Sequence, residues 1–243
     1  MSKPDLLHAI PLFHALTDAD RERLAREVVE SHHHKGEYIF REGDPAESFH
    51  IVKSGSVKCV KSSGNGKEVT LKVLLPGDLF CCDAVAFEGG THPGCAQSMG
   101  DVTVLRVTKR AYFDLLRRNP DAAMEVIRYL GQRLNEAQES AKVLALDRAE
   151  QRLASLLGDF ARRAGIPDER GGVRLTIRLT RQDLANMAGL SVETVIRLMS
   201  RFKRARLVSG TARSLTIKNP IRLQSVASGH VPLPRRPKPV PAV

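Results

Sequence analysis

From Ala123 to Leu144 the chain repeats its apolar residues at helical intervals. Ala123, Ile127, Leu130, Leu134, Ala137, Ala141 and Leu144 succeed one another at spacings of four, three, four, three, four and three. That is the a/d seam of a heptad repeat, carried on one helix of roughly 32 Å at 1.5 Å per residue. A helix of that length divides a chain into an N-terminal and a C-terminal part. Its stripe has two physical outlets, the chain's own domain or the same stripe on a second copy. The stripe is unbroken, and Arg133, Glu136 and Glu139 flank it, which predicts a homodimer. The alanines in the seam allow the two helices to approach closely. Pro120 suits the first turn of this helix, with Asn119 before it as the cap.

The texture differs on the two sides. From His34 to about Val107, short runs of Val, Ile, Leu and Phe are broken repeatedly by glycine. The stretches Ser56 to Val60 and Glu68 to Leu74 alternate apolar and polar residues. Ser63, Gly64, Asn65 and Gly66 between them read as a hairpin loop. Short strands at this spacing predict a small barrel or jelly roll. Ahead of them, Thr17 caps an expected helix that carries Leu24 and Val28, and Lys109 to Arg118 reads as another. After the seam, Asp147 to Arg163 reads as helix, closed by Gly165 and Pro167, and Arg174 to Leu179 alternates as a strand. The fold class expected is α+β. The end of the chain, with five prolines in VPLPRRPKPVPAV, is expected to be a disordered tail.

Several classes are set aside. No apolar run approaches the roughly 18 residues of a membrane span, and the first residues do not match a secretory pattern. A cytoplasmic location without a membrane partner is expected. Cys59, Cys81, Cys82 and Cys95 are too few and too badly spaced for a disulfide scaffold or a zinc site. With no cysteine before residue 59, an N-terminal iron–sulfur cluster is not expected.

Charge then separates the two ends. Residues 1–146 hold 19 Lys/Arg against 20 Asp/Glu, whereas residues 147–222 hold 16 against 7, a net of +9. Only the C-terminal part is built to meet a polyanion. Within it, Thr180 with Asp183 three residues on resembles a capping box, Gly189 permits a tight turn, and Ser191 caps a second helix running to about Ala205. Two short helices about such a turn form a helix-turn-helix, whose second helix enters the major groove of duplex DNA. Glu193 and Arg197 share one face near its start. Arg can donate to O6 and N7 of guanine, and Glu can accept from the N4 amine of cytosine. The alternative for that pair is a surface ion pair. Val192 and Ile196 are placed to touch thymine methyls. Thr180, Arg181, Ser191, Thr194, Arg201 and Lys203 are the expected phosphate contacts.

These residues carry a resemblance. Thr180-Arg181-Gln182-Asp183-Leu184, then Gly189 through Leu198, is similar to the DNA-binding domain of the cyclic-AMP receptor protein / fumarate–nitrate reduction regulator family. The barrel resembles it as well, through Glu42-Gly43-Asp44, Phe49 to Val57, and Pro76-Gly77-Asp78, so that residues 10–220 are covered. The resemblance implies a homodimeric transcription regulator. Residues 1–120 would form a cyclic-nucleotide-binding-type jelly-roll sensor, 121–146 the dimerisation helix, 147–222 a winged helix-turn-helix, and 223–243 the tail. It also implies that Glu193 and Arg197 read each half of a near-palindromic site, and that the protein contacts RNA polymerase. No enzymatic activity is expected. Val192 stands where the cyclic-AMP receptor has Arg, and Ile196 where the fumarate–nitrate branch usually has Ser.

The effector is left open. Members that bind cyclic AMP supply a Glu just after Gly-Asp and an Arg-Ser pair some ten residues later. Here Gly77 to Asp83 contains no Glu, and Thr91 to Ala96 contains neither Arg nor Ser. A phosphate without its cation costs several kcal/mol, so cyclic AMP is not expected. Cys81, Cys82, Asp83, His92 and Gln138 are the candidate pocket residues. Gly77 to Cys81 resembles the stretch that supplies a thiolate in haem-containing members, which makes a haem-based gas or redox sensor the alternative. A jelly-roll metalloenzyme with a basic accessory domain is the rival from another class. His32 and His34 would share a strand face but read better as a polar edge than as metal ligands.

Overall fold

The computed structural model describes residues 7–8, 10, 13–66, 68–81, 84–169, 171–211 and 214–231. The chain divides into two compact units, residues 1–141 and 142–243. The division falls inside the long helix, a few residues before the expected boundary at 146.

In the first unit α1 (Asp18–Glu27) is capped by Thr17, whose side chain accepts from Asp20 N at 3.2 Å. Eight strands come next: β1 (Val29–His33), β2 (Tyr38–Phe40), β3 (Ser48–Ser54), β4 (Val57–Ser62), β5 (Glu68–Leu74), β6 (Leu79–Phe80), β7 (Cys95–Ser98) and β8 (Val102–Thr108). They form two antiparallel four-stranded sheets, ordered β1-β8-β3-β6 and β2-β7-β4-β5. This is the expected jelly-roll sandwich. The predicted hairpin joins β4 to β5, with Ser62 opposite Glu68 and Gly66 N donating to Ser63 O at 2.8 Å.

Strand β3 shows why the sandwich holds. Phe49, His50, Ile51 and Val52 are all buried, so both faces of the strand are covered. Successive side chains point to opposite faces. Phe49 and Ile51 join Leu105, Val107 and the helices on one side, while Val52 joins Val104, Phe40, Val57, Leu74, Phe80 and Ala96 on the other. At the end of β3 the chain passes so close to β8 that a Cβ on Gly55 would stand 2.4 Å from Asp101 O, at φ +81°. Only glycine fits there.

Helix α2 (Lys109–Arg118) is capped by Thr108 and leads into α3 (Pro120–Leu146). Asn119 stands at the start of α3, its carbonyl accepting from Ala123 N at 3.1 Å, but its side chain does not cap that helix as expected. The side-chain amide instead donates backwards to Leu115 O at 3.0 Å, beside the Asn119 N–H, which donates to the same carbonyl. Helix α3 packs on its own sandwich through Ala122 and Val126, and Tyr129 Oη donates to Leu79 O at 3.0 Å. The heptad stripe lies beside this face and stays outside, with Ile127 and Leu134 each 60% exposed.

The second unit continues with α4 (Ala149–Ala164), β9 (Gly165–Pro167), β10 (Val173–Leu175), α5 (Arg181–Ala188), α6 (Val192–Arg204), β11 (Val208–Thr211), β12 (Ser214–Ile217) and α7 (Pro220–Ala227). Its sheet runs β11-β12-β10-β9, all antiparallel. Two expectations are corrected. The strand expected over Arg174 to Leu179 ends at Leu175, because Thr176 turns back. Its N–H and hydroxyl both donate to Ala164 O, at 2.8 and 3.0 Å. Residues 223–227, assigned to the tail, are helical. Asn219 caps α7 by accepting from Arg222 N, Pro220 opens it, and Leu223, Val226 and Ala227 are buried. Residues 232–243 of that tail lie outside the described residues. Together the two units form an α+β chain of jelly roll, long helix and winged helix-turn-helix.

Candidate nucleic-acid interface

Helices α5 and α6 are held by local bonds that the sequence spells out. Thr180 Oγ1 accepts from Asp183 N at 3.0 Å, and the Asp183 carboxylate accepts from Thr180 N at 2.8 Å. This reciprocal box satisfies N–H groups that the first turn leaves open. Gly189 ends α5 in the left-handed region, φ 61° and ψ 42°. The Ser191 side chain then caps α6 by accepting from Thr194 N at 3.2 Å. On the inner side of α6, Val195, Leu198, Met199 and Phe202 are buried.

The opposite face of α6 is Glu193, Ile196, Arg197, Ser200, Lys203 and Arg204, all exposed. Among the described residues neither Glu193 nor Arg197 has an ion-pair partner, so the surface pair that was the alternative reading is not formed. Both carry their charge outward from a turn whose N–H dipoles also favour anions. Val192 and Thr194 are half-buried at the start of the helix, and Thr180 and Ser191 are exposed and occupied as caps. Arg181 is half-buried. Desolvation lowers its pKa, and its Nη1 is buried without a hydrogen bond. Arg201 sits differently from the expected phosphate contact. It is half-buried, with Nη1 3.0 Å from Glu150 Oε2, and so ties α6 to α4.

Two residues of this face were missed. Ser200 and Arg204 lie three and four residues on from Arg197 and Ser200, a periodicity that would have found them. The hairpin of β11 and β12 presents Thr211 and Ser214 beside a tip outside the described residues. Arg206, exposed at φ 56°, marks the exit from α6.

The interior of the sandwich is a second candidate site. His50 and His92 are buried there among Phe40 and Phe80. His92 stacks on Phe40 with centroids 3.7 Å apart, and His50 stacks on Phe80 at 5.1 Å. Cys59 and Cys81 pack against the same core. Of the candidate pocket residues, the fold brings Cys81 and His92 to this interior. Gln138 is instead exposed on α3, and Cys82 and Asp83 lie outside the described residues. His50 was not anticipated; its even-numbered place with Val52 in β3 was the available signal. Burial, with like charge from His92, Arg106 and His33, lowers its pKa to about 3. Phe40 also lies 5.4 Å from His50 and 5.9 Å from Phe80, so the four rings form one cluster in the interior. Among the described residues no group of three or more His, Cys, Asp or Glu could hold a metal ion.

Known proteins share both sites' frameworks. Residues 30–119 match the cyclic nucleotide-binding domain and residues 151–226 the Crp-like helix-turn-helix domain. The chain is 32% identical to the fumarate and nitrate reduction regulatory protein of Vibrio cholerae, over 79% of this chain and 76% of that one. It is 31% identical to the protein of that name from Escherichia coli K12, over 81% and 77%. The chain belongs to the Crp/Fnr family of transcription regulators. The regulator also superposes on FixK2 from Bradyrhizobium japonicum, with TM-score 0.73 and 24% identity, covering 82% of this chain and 96% of that one. For a CooA variant from Carboxydothermus hydrogenoformans the values are 0.69 and 25%, covering 83% and 88%. It is thus a DNA-binding transcription regulator, and no helix among its described residues is long and apolar enough to cross a membrane.

Both sites can be tested by stability. A Cβ on Gly189 would stand 3.0 Å from Leu144 Cδ2 and 3.3 Å from Arg152 Nη1. The Gly189→Ala regulator should therefore lose about 1–3 kcal/mol of stability, from left-handed strain and the displaced leucine. Urea unfolding of the two proteins measures it. For His50, the unfolded imidazole titrates near 6.5 and the folded one near 3, so below pH 6.5 the unfolded chain binds the extra proton. The stabilisation from keeping it neutral is complete above 6.5 and is lost as pH falls towards 3. Between pH 7.5 and 4.5 the melting temperature should drop more steeply for the regulator than for its His50→Leu variant.

Proposed function

We propose that the regulator acts as a homodimer joined along the α3 seam, and that each copy reads one half of a near-palindromic duplex site through Glu193 and Arg197. The observation that carries this reading is the outward, ion-pair-free display of those two groups on the first turns of α6. A carboxylate amid a net charge of +9 in residues 147–222 is repelled by phosphates unless it accepts a hydrogen bond from a base. Support for the dimer comes from the stripe itself. Ile127, Leu130, Leu134 and Leu144 are exposed in the single chain although α3 packs on its sandwich through other residues. Two such helices bring two recognition helices to successive major grooves about 34 Å apart.

Control is exerted through the jelly roll by an effector other than cyclic AMP. In support, the buried polar groups nearest the aromatic core are the imidazoles of His50 and His92 rather than a guanidinium suited to a cyclic phosphate. The effector shifts the population between two dispositions of the recognition helices. The DNA-bound regulator then contacts RNA polymerase, which transcription in vitro from a template carrying the site would reveal.

The reading is tested by two substitutions. Leu134→Glu places a charge in the seam without touching the core of either unit. It should convert a dimer to a monomer in sedimentation at micromolar concentration, and a monomeric parent protein would refute the seam. Arg197→Ala should cost about 1–3 kcal/mol of discrimination at one base pair per half-site. Binding competition against mutated duplexes measures this, and an equal loss on every sequence would reassign Arg197 to phosphate.

A further inference from the structure

Ile196 sits in the middle of the outward face of α6. It is 50% exposed, between Glu193 three residues before and Arg197 directly after. It is the one aliphatic side chain on that face. Its buried counterparts Val195, Leu198 and Met199 already supply the packing of the helix, so Ile196 contributes nothing to the interior. Ser200, one turn on, donates its hydroxyl to Ile196 O at 2.9 Å, and its donor is spent within the helix. Val192, the other aliphatic residue near the turn, is half-buried against its own unit.

The surrounding charge says what kind of surface Ile196 meets. Arg197, Lys203 and Arg204 share its face, in a segment with net charge +9 over residues 147–222. An apolar partner protein is poorly suited to that surround, and duplex DNA is well suited. In the major groove the one apolar group on a base edge is the C5-methyl of thymine. A β-branched side chain on a helix is held close to one rotamer, so its methyl groups are presented in a fixed position.

We infer that Ile196 is a specificity-determining residue that selects thymine, by methyl contact, at one position in each half-site. The inference rests on the reading of α6 as the recognition helix and deepens it. Glu193 and Arg197 select by hydrogen bonds, and Ile196 selects by the presence or absence of a methyl group beside them.

The experiment uses the full-length regulator and a duplex obtained by selection from random sequence. Each thymine is replaced in turn by deoxyuridine, which keeps the hydrogen bonds and removes only the methyl. Fluorescence anisotropy reads the affinity. Uracil at one symmetric position should weaken binding about four- to fifteenfold, the order of one or two buried methyl groups. The Ile196→Ser protein should bind the thymine and uracil duplexes equally, and Ile196→Val, still aliphatic, should keep the preference. Because Ile196 is exposed, these variants should retain the parent's melting temperature. If uracil is tolerated everywhere while Arg197→Ala still loses discrimination, the inference fails and the recognition helix stands. If Ile196→Ser keeps the thymine preference, another residue reads the methyl and the inference also fails. If no duplex is preferred over random sequence, the assignment of α6 falls, and the inference with it.

Discussion

The helix-turn-helix depends on one residue that must have no side chain. Gly189 takes the left-handed conformation that lets the chain leave α5 and enter α6, and Leu144 and Arg152 close over the place a Cβ would occupy. Arg152 Nη1 also donates to Gly189 O at 3.4 Å. The turn is therefore clamped from outside as well as strained from within. The capping boxes and caps of α5 and α6 then set each helix start, and the outward face of α6 is fixed by its 3.6-residue period. Every residue of the outward face of α6 takes its position from that turn.

Leu144 gives the turn a further significance. It is the last residue of the heptad stripe, and it is also the residue that meets Gly189. Helix α3 begins in the unit that holds the sandwich and ends in the unit that holds the helix-turn-helix. In the proposed dimer, whatever sets the register of the stripe acts on a side chain that touches the recognition turn. Arg201, paired with Glu150, ties α6 to α4 in the same unit.

The sandwich interior is lined by aromatic rings. Phe40, His50, Phe80 and His92 present apolar and neutral aromatic surface there. An imidazole held to a pKa of about 3 is uncharged at neutral pH and offers an anion no charge.

Much was legible before any tertiary contact was known, and the reason is range. The caps at Thr17, Thr180 and Ser191, the left-handed turn at Gly189, the β4–β5 hairpin and the seam of α3 involve partners within a few residues or a fixed helical period. The same period would have disclosed Ser200 and Arg204. Other features turned on what lay across space. Asn119 had two helix ends within reach, and its side chain joined its own N–H at the carbonyl of Leu115. The strand from Arg174 stopped at Leu175 because the end of α4 offered Thr176 an acceptor. Arg201 found Glu150, 51 residues away in sequence, and His50 faced inward because β3 is covered on both sides. The sequence by itself determined the elements and the charge asymmetry between the two ends, since local hydrogen bonds, periodicity and net charge are properties of adjacent residues. Only the tertiary structure decided which polar groups were bound internally and which were left exposed, because a distant partner is chosen by the fold and not by the chain next to it.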